Sequence, residues 1–317
     1  MHFQEVNRQI GEHVVRSLHP DHHYYICFDQ LDLGLSVTDQ AYSHRLVGLI
    51  LAAREINRLA REAGKKLSII VFLRDDIYNV LHFEDKNKVT ENNVSTIEWK
   101  VGGSGLTLKS LMERRFGEVL SGSGSIDWDQ IFNETREMPG RQRKYIHICD
   151  RTFLRPRDMI KFCNEILKAF KEEARAGREQ FDNEEVIAAR GLYSDYLLRE
   201  LDDEIAKQVP AYKEYLEVVR SLGRTQFTVS QFDELWKKRT SLKDVGSSEG
   251  LRQLFEFSVV GFLKPGGGGG GSKYIWRYQD SSARFSYEAE TFRVHAGFKE
   301  ALDLASGMKS PVVEGVE

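Results

Sequence analysis

The chain has 317 residues, a formal net charge of -3, 41% hydrophobic residues and 29% charged residues. This length allows two or three domains with a sizeable core, and the near-neutral charge does not support a protein that binds nucleic acid or membranes over its whole surface. No run approaches 18 apolar residues, and the first residues lack a basic-then-apolar signal pattern. We therefore expect a soluble, cytoplasmic protein without a membrane span.

The three cysteines, Cys27, Cys149 and Cys163, are few and odd in number, and each lies in an apolar stretch. None of them has the spacing of metal ligands. They are interpreted as reduced thiols of a protein core.

The first third of the chain alternates helical and strand patterns. Apolar residues at steps of four predict an amphipathic helix over 2–18. The apolar stretch 24–28 predicts a buried strand, 42–63 a long amphipathic helix, and 67–73 a second buried strand. Two apolar strands joined by a helix are typical of a βαβ unit in a parallel α/β sheet.

Both predicted strands end in charged side chains, Asp29 and Asp32 after the first and Arg74 after the second. The segment Asp29-Gln30-Leu31-Asp32 after an apolar strand resembles the Walker B segment of P-loop ATPases of the STAND and AAA+-like class. The resemblance implies that Asp29 helps to hold Mg²⁺ through water, that Asp32 orients the attacking water, and that Arg74 is a sensor at the γ-phosphate of ATP. The alternatives are aspartates that cap the next helix and an arginine that pairs with a neighbouring carboxylate.

A further resemblance begins at Arg155-Pro156-Arg157. Proline suits the first turn of a helix, and an apolar stripe over 159–170 continues it. This segment resembles the lid helix of the same ATPases, whose amino end carries a sensor arginine. The matching positions are Arg155 and Arg157, and the sequence does not choose between them. Ordinary surface arginines at a helix start remain the alternative.

Beyond two further helices, 186–209 and 212–222, the order of elements changes. Helices at 227–236 and 247–257 precede a hairpin at 259–278 with a glycine-rich tip, which predicts a winged-helix domain. The basic candidates for contacts with nucleic-acid phosphates are Lys237, Lys238, Arg239, Lys273 and Arg277. Acidic neighbours dilute this patch, and the resemblance implies that such a domain often packs on the nucleotide domain, so DNA binding is possible but not favoured.

No segment has the Gly-x-x-x-x-Gly-Lys-Ser/Thr order of a phosphate loop, and the glycines at 266–271 lead into a strand. The resemblance therefore begins part-way into an ATPase core. By analogy with the AAA+ strand order, the missing strand would neighbour the strand that ends at Arg74. An unpaired strand edge there favours self-association or a partner segment that completes the core.

Together these patterns predict an α/β fold with a partial parallel-sheet P-loop core, a helical lid and a winged helix. The expected boundaries are 1–135 for the core, 136–222 for the lid, 223–305 for the winged helix and 306–317 for a disordered tail. The resemblance implies a nucleotide-dependent regulatory switch, of a kind that bacterial family members often use in regulation or defence, with ATP and Mg²⁺ as cofactors. Two alternatives remain open: a non-catalytic interaction scaffold and a winged-helix nucleic-acid-binding protein.

Overall fold

A computed structural model describes residues 2–31, 40–103, 107–172, 179–206, 208–266 and 271–308. The chain divides into two compact units, Met1–Ile97 and Glu98–Glu317. The boundaries expected at 135/136 and 222/223 stay predictions. Within the described ranges the chain is a mixed α/β protein with twelve α-helices, one small parallel sheet and one mixed sheet.

The first unit contains four helices and two strands among its described residues. They are α1 (His2–Ser17), β1 (His23–Phe28), α2 (Gln40–Glu62), β2 (Lys66–Val71), α3 (Asp75–Val80) and α4 (Lys86–Asn93). Strands β1 and β2 pair in parallel, with Tyr24 opposite Leu67 and Phe28 opposite Val71. The predicted strand-helix-strand unit is therefore confirmed.

One face of this two-stranded sheet is covered and the other is not. Leu67 is buried in a cluster with Val15 of α1 and Ala60 of α2. On the opposite face, Tyr25 is 66% exposed and Phe72 is 46% exposed. The prediction that both strands are buried is wrong, because within the described residues helices cover only one side of the pair. Cys27 is likewise exposed rather than part of a core.

The second unit contains eight helices and five strands in its described part. The helices are α5 (Leu108–Ser121), α6 (Trp128–Ile131), α7 (Lys144–Cys149), α8 (Pro156–Glu172), α9 (Asn183–Ile205), α10 (Tyr212–Leu222), α11 (Val229–Lys237) and α12 (Ser247–Glu256). The strands are β3 (Arg224–Thr228), β4 (Val260–Lys264), β5 (Lys273–Ile275), β6 (Thr291–Val294) and β7 (Ala305–Met308).

The five strands form one sheet in the order β5-β4-β6-β3-β7. The pairs β5/β4, β4/β6 and β6/β3 are antiparallel, and β3/β7 is parallel. The predicted hairpin around the glycine-rich tip is thus confirmed as β4 and β5, although residues 267–270 of the tip lie outside the described part. The expected tail begins at 306, but residues 306–308 belong to β7; its remainder, 309–317, lies outside the described residues.

Helices α8 and α9 pack along their apolar stripes. The rings of Phe162 on α8 and Tyr193 on α9 stack with their centroids 4.4 Å apart and their planes 7° apart. Helix α8 begins at Pro156, as the position of proline predicts. Helix α9 begins with a capping box, in which Asp182 and Glu185 each accept from the other's backbone N–H. No helix in the described ranges is long and apolar enough to cross a membrane.

Candidate functional site

Strands β1 and β2 end side by side, and their last residues are followed by Asp29 and Arg74. Phe28 lies opposite Val71, and the N–H of Phe72 donates to the carbonyl of Phe28 at 2.8 Å. In open parallel sheets this carboxyl edge is the usual place for a ligand. The parallel register therefore brings the chain segments that carry Asp29 and Arg74 to one edge of the sheet.

Asp29 is exposed and its side chain is partly engaged. Its Oδ1 accepts from the N–H of Gln30 at 2.7 Å, and Gln30 has a left-handed φ of 58°. This turn redirects the chain directly after the strand. The second predicted acid, Asp32, lies outside the described residues.

Arg74 is exposed and has an extended backbone with φ -66° and ψ 140° directly before α3. Its guanidinium is a bidentate donor of the kind that suits phosphate oxygens. The carboxylate of Asp29 and the guanidinium of Arg74 are groups of the kind that bind the metal ion and the terminal phosphate in a Mg·ATP site. The sequence of this chain holds no phosphate loop, which is the part of such a site that binds the other phosphate oxygens. Within the described ranges, no group of three or more His, Cys, Asp or Glu side chains could hold a metal ion.

The two lid candidates, Arg155 and Arg157, lie in the second unit at the start of α8, and both reach carboxylates of α9. Arg155 Nη1 lies 2.8 Å from Glu204 Oε1, and Arg157 Nη2 lies 2.9 Å from Glu200 Oε2. Both arginines therefore bind protein carboxylates in this structure. A phosphate would compete with these glutamates for the charge of the two guanidinium groups.

Most of the basic candidates for nucleic-acid binding are also neutralised by carboxylates. Four of the five lie within ion-pair distance of an acidic side chain: Lys237 of Asp233 at 2.5 Å, Lys238 of Glu234 at 2.7 Å, Arg239 of Glu214 at 3.8 Å and Arg277 of Glu256 at 3.2 Å. Lys273 is exposed at the start of β5. Because nucleic-acid affinity depends on cations that neutralise phosphates, these pairs weaken the DNA-binding alternative.

Asn57 of α2 is a polar residue whose role we did not identify in the sequence. Its Nδ2 donates to the carbonyl of Ile69 at 2.9 Å, and its Oδ1 accepts from the N–H of Ile69 at 2.7 Å. The available signal was its position, one residue after Ile56 and three before the buried Ala60, on the side of α2 that contacts the sheet. An amide there could have been predicted to bind backbone groups of a strand.

An open pocket of about 320 Å³ lies at the opposite, amino end of the two strands. Its lining includes the cationic side chains of Arg61, Lys65 and Lys66. Lys65 Nζ donates to the carbonyl of Leu18 at 2.5 Å, which ties the end of α1 to the strand. Asp29 and Arg74 follow the carboxyl ends of the same strands, so this pocket is not part of the candidate site.

Comparison with known protein families gave a match to part of the chain. A family model described as the FunZ-associated C-terminal helical domain matches residues 106–202. This stretch holds α5 to α8 and most of α9, so it is helical here, as the description says. No curated protein and no solved structure matched the chain. The match therefore concerns the helical segment and does not reach Asp29, Arg74 or either sheet.

Proposed function

We propose that this chain is the Walker B, sensor and lid portion of a P-loop ATPase that acts as a nucleotide-dependent regulatory switch. The observation that carries the proposal is the parallel pairing of β1 and β2, which brings the segments bearing Asp29 and Arg74 to one sheet edge. The position of Arg155 and Arg157 at the start of α8 agrees with a lid sensor.

The open sheet supports the second part of the proposal, that a further polypeptide segment completes the core. Parallel sheets are normally covered on both faces, and a two-stranded sheet is marginal on its own. Here Tyr25, Ile70 and Phe72 leave apolar surface on the uncovered face. A segment with a strand and a helix would cover this surface and could bring the phosphate loop that the chain lacks.

Within the completed site each residue has a distinct task. Asp29 would hold Mg²⁺ through water and Arg74 would bind oxygens of the terminal phosphate. Asp32 would orient the attacking water. In the second unit, Arg155 and Arg157 are the candidates for the lid sensor, and their partly exposed ion pairs with Glu204 and Glu200 contribute only about 0–1 kcal/mol each. The bound Mg·ATP would supply the hydrolysable phosphoanhydride.

The connectivity of the C-terminal part supports a winged helix as one module of the switch. The chain order is α10, β3, α11, α12, β4, β5 and β6, and these four strands lie in the order β5-β4-β6-β3. Two helices followed by a hairpin are the basis of that prediction. Because four of its five basic candidates are paired with carboxylates, we propose protein packing rather than DNA binding as its role.

The test is calorimetric titration with Mg·ATP of this chain and of the longest natural polypeptide that contains it. We expect saturable binding at least where the phosphate loop is present, and a loss of about tenfold or more for Arg74→Gln, since a bidentate charged contact is removed. The control is Arg252→Gln, because Arg252 pairs with Glu249 on α12. Asp32→Asn should spare binding and abolish turnover; unchanged hydrolysis in that variant would count against the Walker B assignment.

The second candidate is a non-catalytic scaffold that kept the fold without nucleotide chemistry. It is favoured by the engagement of both lid arginines with α9 carboxylates and by the missing phosphate-loop sequence. Absence of Mg·ATP binding in both polypeptides would support the scaffold and overturn the switch.

A further inference from the structure

A chain of hydrogen bonds fixes the buried ring of His147 on α7. His147 is 4% exposed, and its Nε2 accepts from Arg190 Nε of α9 at 3.1 Å. Because Nε2 is the acceptor, the ring proton lies on Nδ1, which donates to Gln142 Oε1 at 3.1 Å. Gln142 Nε2 in turn donates to Asp150 Oδ2 at 2.7 Å. The imidazole is thus held neutral in one orientation.

Arg190 contacts this neutral ring directly, and the charges of Arg151 and Lys299 also act on it. Burial, and then the charges of Arg151, Arg190 and Lys299, lower the pKa of His147 to about 3. Burial and the charge of Arg151 also lower the pKa of Arg190 to about 10. All three charges therefore oppose protonation of the ring, and Arg151 and Arg190 are near enough to repel each other.

The compensation of these charges is incomplete among the described residues. Arg151 is 7% exposed, and its Nη2 makes one long contact, at 3.5 Å, with Glu300 Oε1. Arg151 Nε and Glu300 Oε2 are both buried without a hydrogen-bond partner. Arg190 has no carboxylate within ion-pair distance in the described ranges, and Lys299 Nζ donates to the neutral Ser306 Oγ. Two carboxylates, Glu300 and Asp150, thus face three cations, and both of them act on Arg151.

Such an arrangement is costly unless something balances it. A buried guanidinium that lacks a full set of partners loses hydration without recovering it. The buried, unpartnered Nε of Arg151 beside groups with lowered pKa values makes this cluster a candidate functional site. The donors available here are two guanidinium groups and one ammonium group, which suit the oxygens of a tetrahedral oxyanion.

We propose that Arg151, Arg190 and Lys299 form a binding site in the second unit for a phosphate-type oxyanion. Arg190 and Lys299 supply the accessible charges, since both are only partly buried. Arg151 supplies the buried charge behind them. The ligand ties α9 to the segment that carries Lys299, which already contacts α9 where the N–H of Ala301 donates to Ser194 Oγ at 2.9 Å.

The experiment is a titration of the intact chain with inorganic phosphate, without nucleotide or Mg²⁺, against sodium chloride of equal ionic strength. Two readouts are followed: the melting temperature and the ring pKa of His147 by NMR. We expect saturable stabilisation by phosphate but not by chloride, and a rise in the His147 pKa, because a bound anion offsets the surrounding cations.

Three variants decide whether the binding belongs to this site. Arg190→Gln and Lys299→Gln should each weaken phosphate binding about tenfold or more, and Arg190→Lys should weaken it less because the charge remains. Arg136→Gln is the matched control, since Arg136 already pairs with Glu184 at 2.8 Å. Phosphate effects no greater than those of chloride, or binding that persists unchanged in Arg190→Gln and Lys299→Gln, would overturn the proposal.

Discussion

The side-chain amide of Asn57 satisfies both backbone hydrogen-bonding groups of Ile69, as a neighbouring strand would. The N–H of Phe72 donates to the carbonyl of Phe28 in β1. The backbone N–H and C=O groups of even-numbered residues in β2 therefore point towards β1, and those of odd-numbered residues, including Ile69, point away from it. Asn57 therefore occupies one position on the outer edge of β2. A strand that joins this edge must displace the Asn57 amide and form both hydrogen bonds to Ile69 with its own backbone groups.

This relationship predicts the effect of removing the amide. Asn57→Leu should destabilise the first unit by about 1–2 kcal/mol, because the N–H and C=O of Ile69 lose their partners. Hydrogen exchange at the Ile69 amide should become faster. Asn92→Ala is the control, since Asn92 donates only to an exposed carbonyl of its own helix, that of Lys88. Unchanged exchange at Ile69 in Asn57→Leu would show that the amide does not protect this edge.

The limits of sequence reasoning are visible in the same sheet. Apolar runs separated by a helix were sufficient to predict β1, α2, β2 and their parallel order, because that pattern depends on local periodicity. They were not sufficient to predict burial, since whether Tyr25 or Phe72 is covered depends on neighbours that periodicity does not specify.

Helix α4 was missed for a related reason. Its sequence is polar, but Val89 is buried and Lys86 Nζ donates to the carbonyls of Tyr78 and Leu81.

The candidate site shows a second limit. The positions of Asp29 and Arg74 at neighbouring strand ends followed from the pattern. The partners of Arg155 and Arg157 did not, because Glu204 and Glu200 are more than forty positions later in the chain and meet them only through the packing of α8 on α9. The cluster around His147 was also missed, since it joins α7, α9 and the segment before β7. Sequence spacing carries no signal for such contacts.

Glu134 should be essential for the stability of the helical segment. Its side chain is 4% exposed; Oε1 accepts from Trp128 Nε1 at 2.7 Å and Tyr145 N at 2.8 Å, and Oε2 accepts from Lys144 N at 2.7 Å. Glu134→Gln replaces one accepting oxygen with an NH2 group, which then opposes another N–H donor. We therefore expect a loss of about 2–4 kcal/mol in the free energy of unfolding. Urea unfolding measures this. The control Glu118→Gln, at an exposed position of α5, should change stability by less than about 0.5 kcal/mol.

Two buried histidines should make the protein less stable in mild acid. Burial lowers the pKa values of His147 and His295 to about 3, and the charge of Arg151 is the second cause for both. The unfolded chain binds these protons near pH 6.5, so between about pH 6.5 and 3 it binds more protons than the folded chain and stability falls as pH falls. Each histidine contributes a slope on the order of 1.4 kcal/mol per pH unit in that window.

The measurement is the free energy of unfolding at pH 7, 6 and 5. Burial raises the pKa values of Asp150 and Asp158, which contributes the opposite slope at the acidic end of the window. His147→Gln should therefore reduce the slope most clearly between pH 6.5 and 5, whereas His13→Gln, at an exposed position of α1, should leave it unchanged. An equal slope in the protein and in His147→Gln would contradict this account.

Two glycine-to-alanine changes should shift stability in opposite directions. A Cβ at Gly297 would lie 2.4 Å from the carbonyl oxygen of Arg151 and 2.5 Å from Leu197 Cδ2, so Gly297→Ala should cost about 1–3 kcal/mol. At Gly191, inside α9, no heavy atom lies within 4 Å of the added Cβ. Gly191→Ala should stabilise the protein by about 0.5–1 kcal/mol through helix propensity.

The comparison between these two glycine variants is well controlled, because both changes restrict the unfolded chain in the same way. The difference in melting temperature between the two variants therefore reports the folded state alone. A melting temperature for Gly297→Ala equal to or above that of the unaltered protein would mean that the segment around Gly297 does not pack closely against Arg151 and Leu197. In that case the placement of Lys299, two residues later, near His147 would also have to be abandoned.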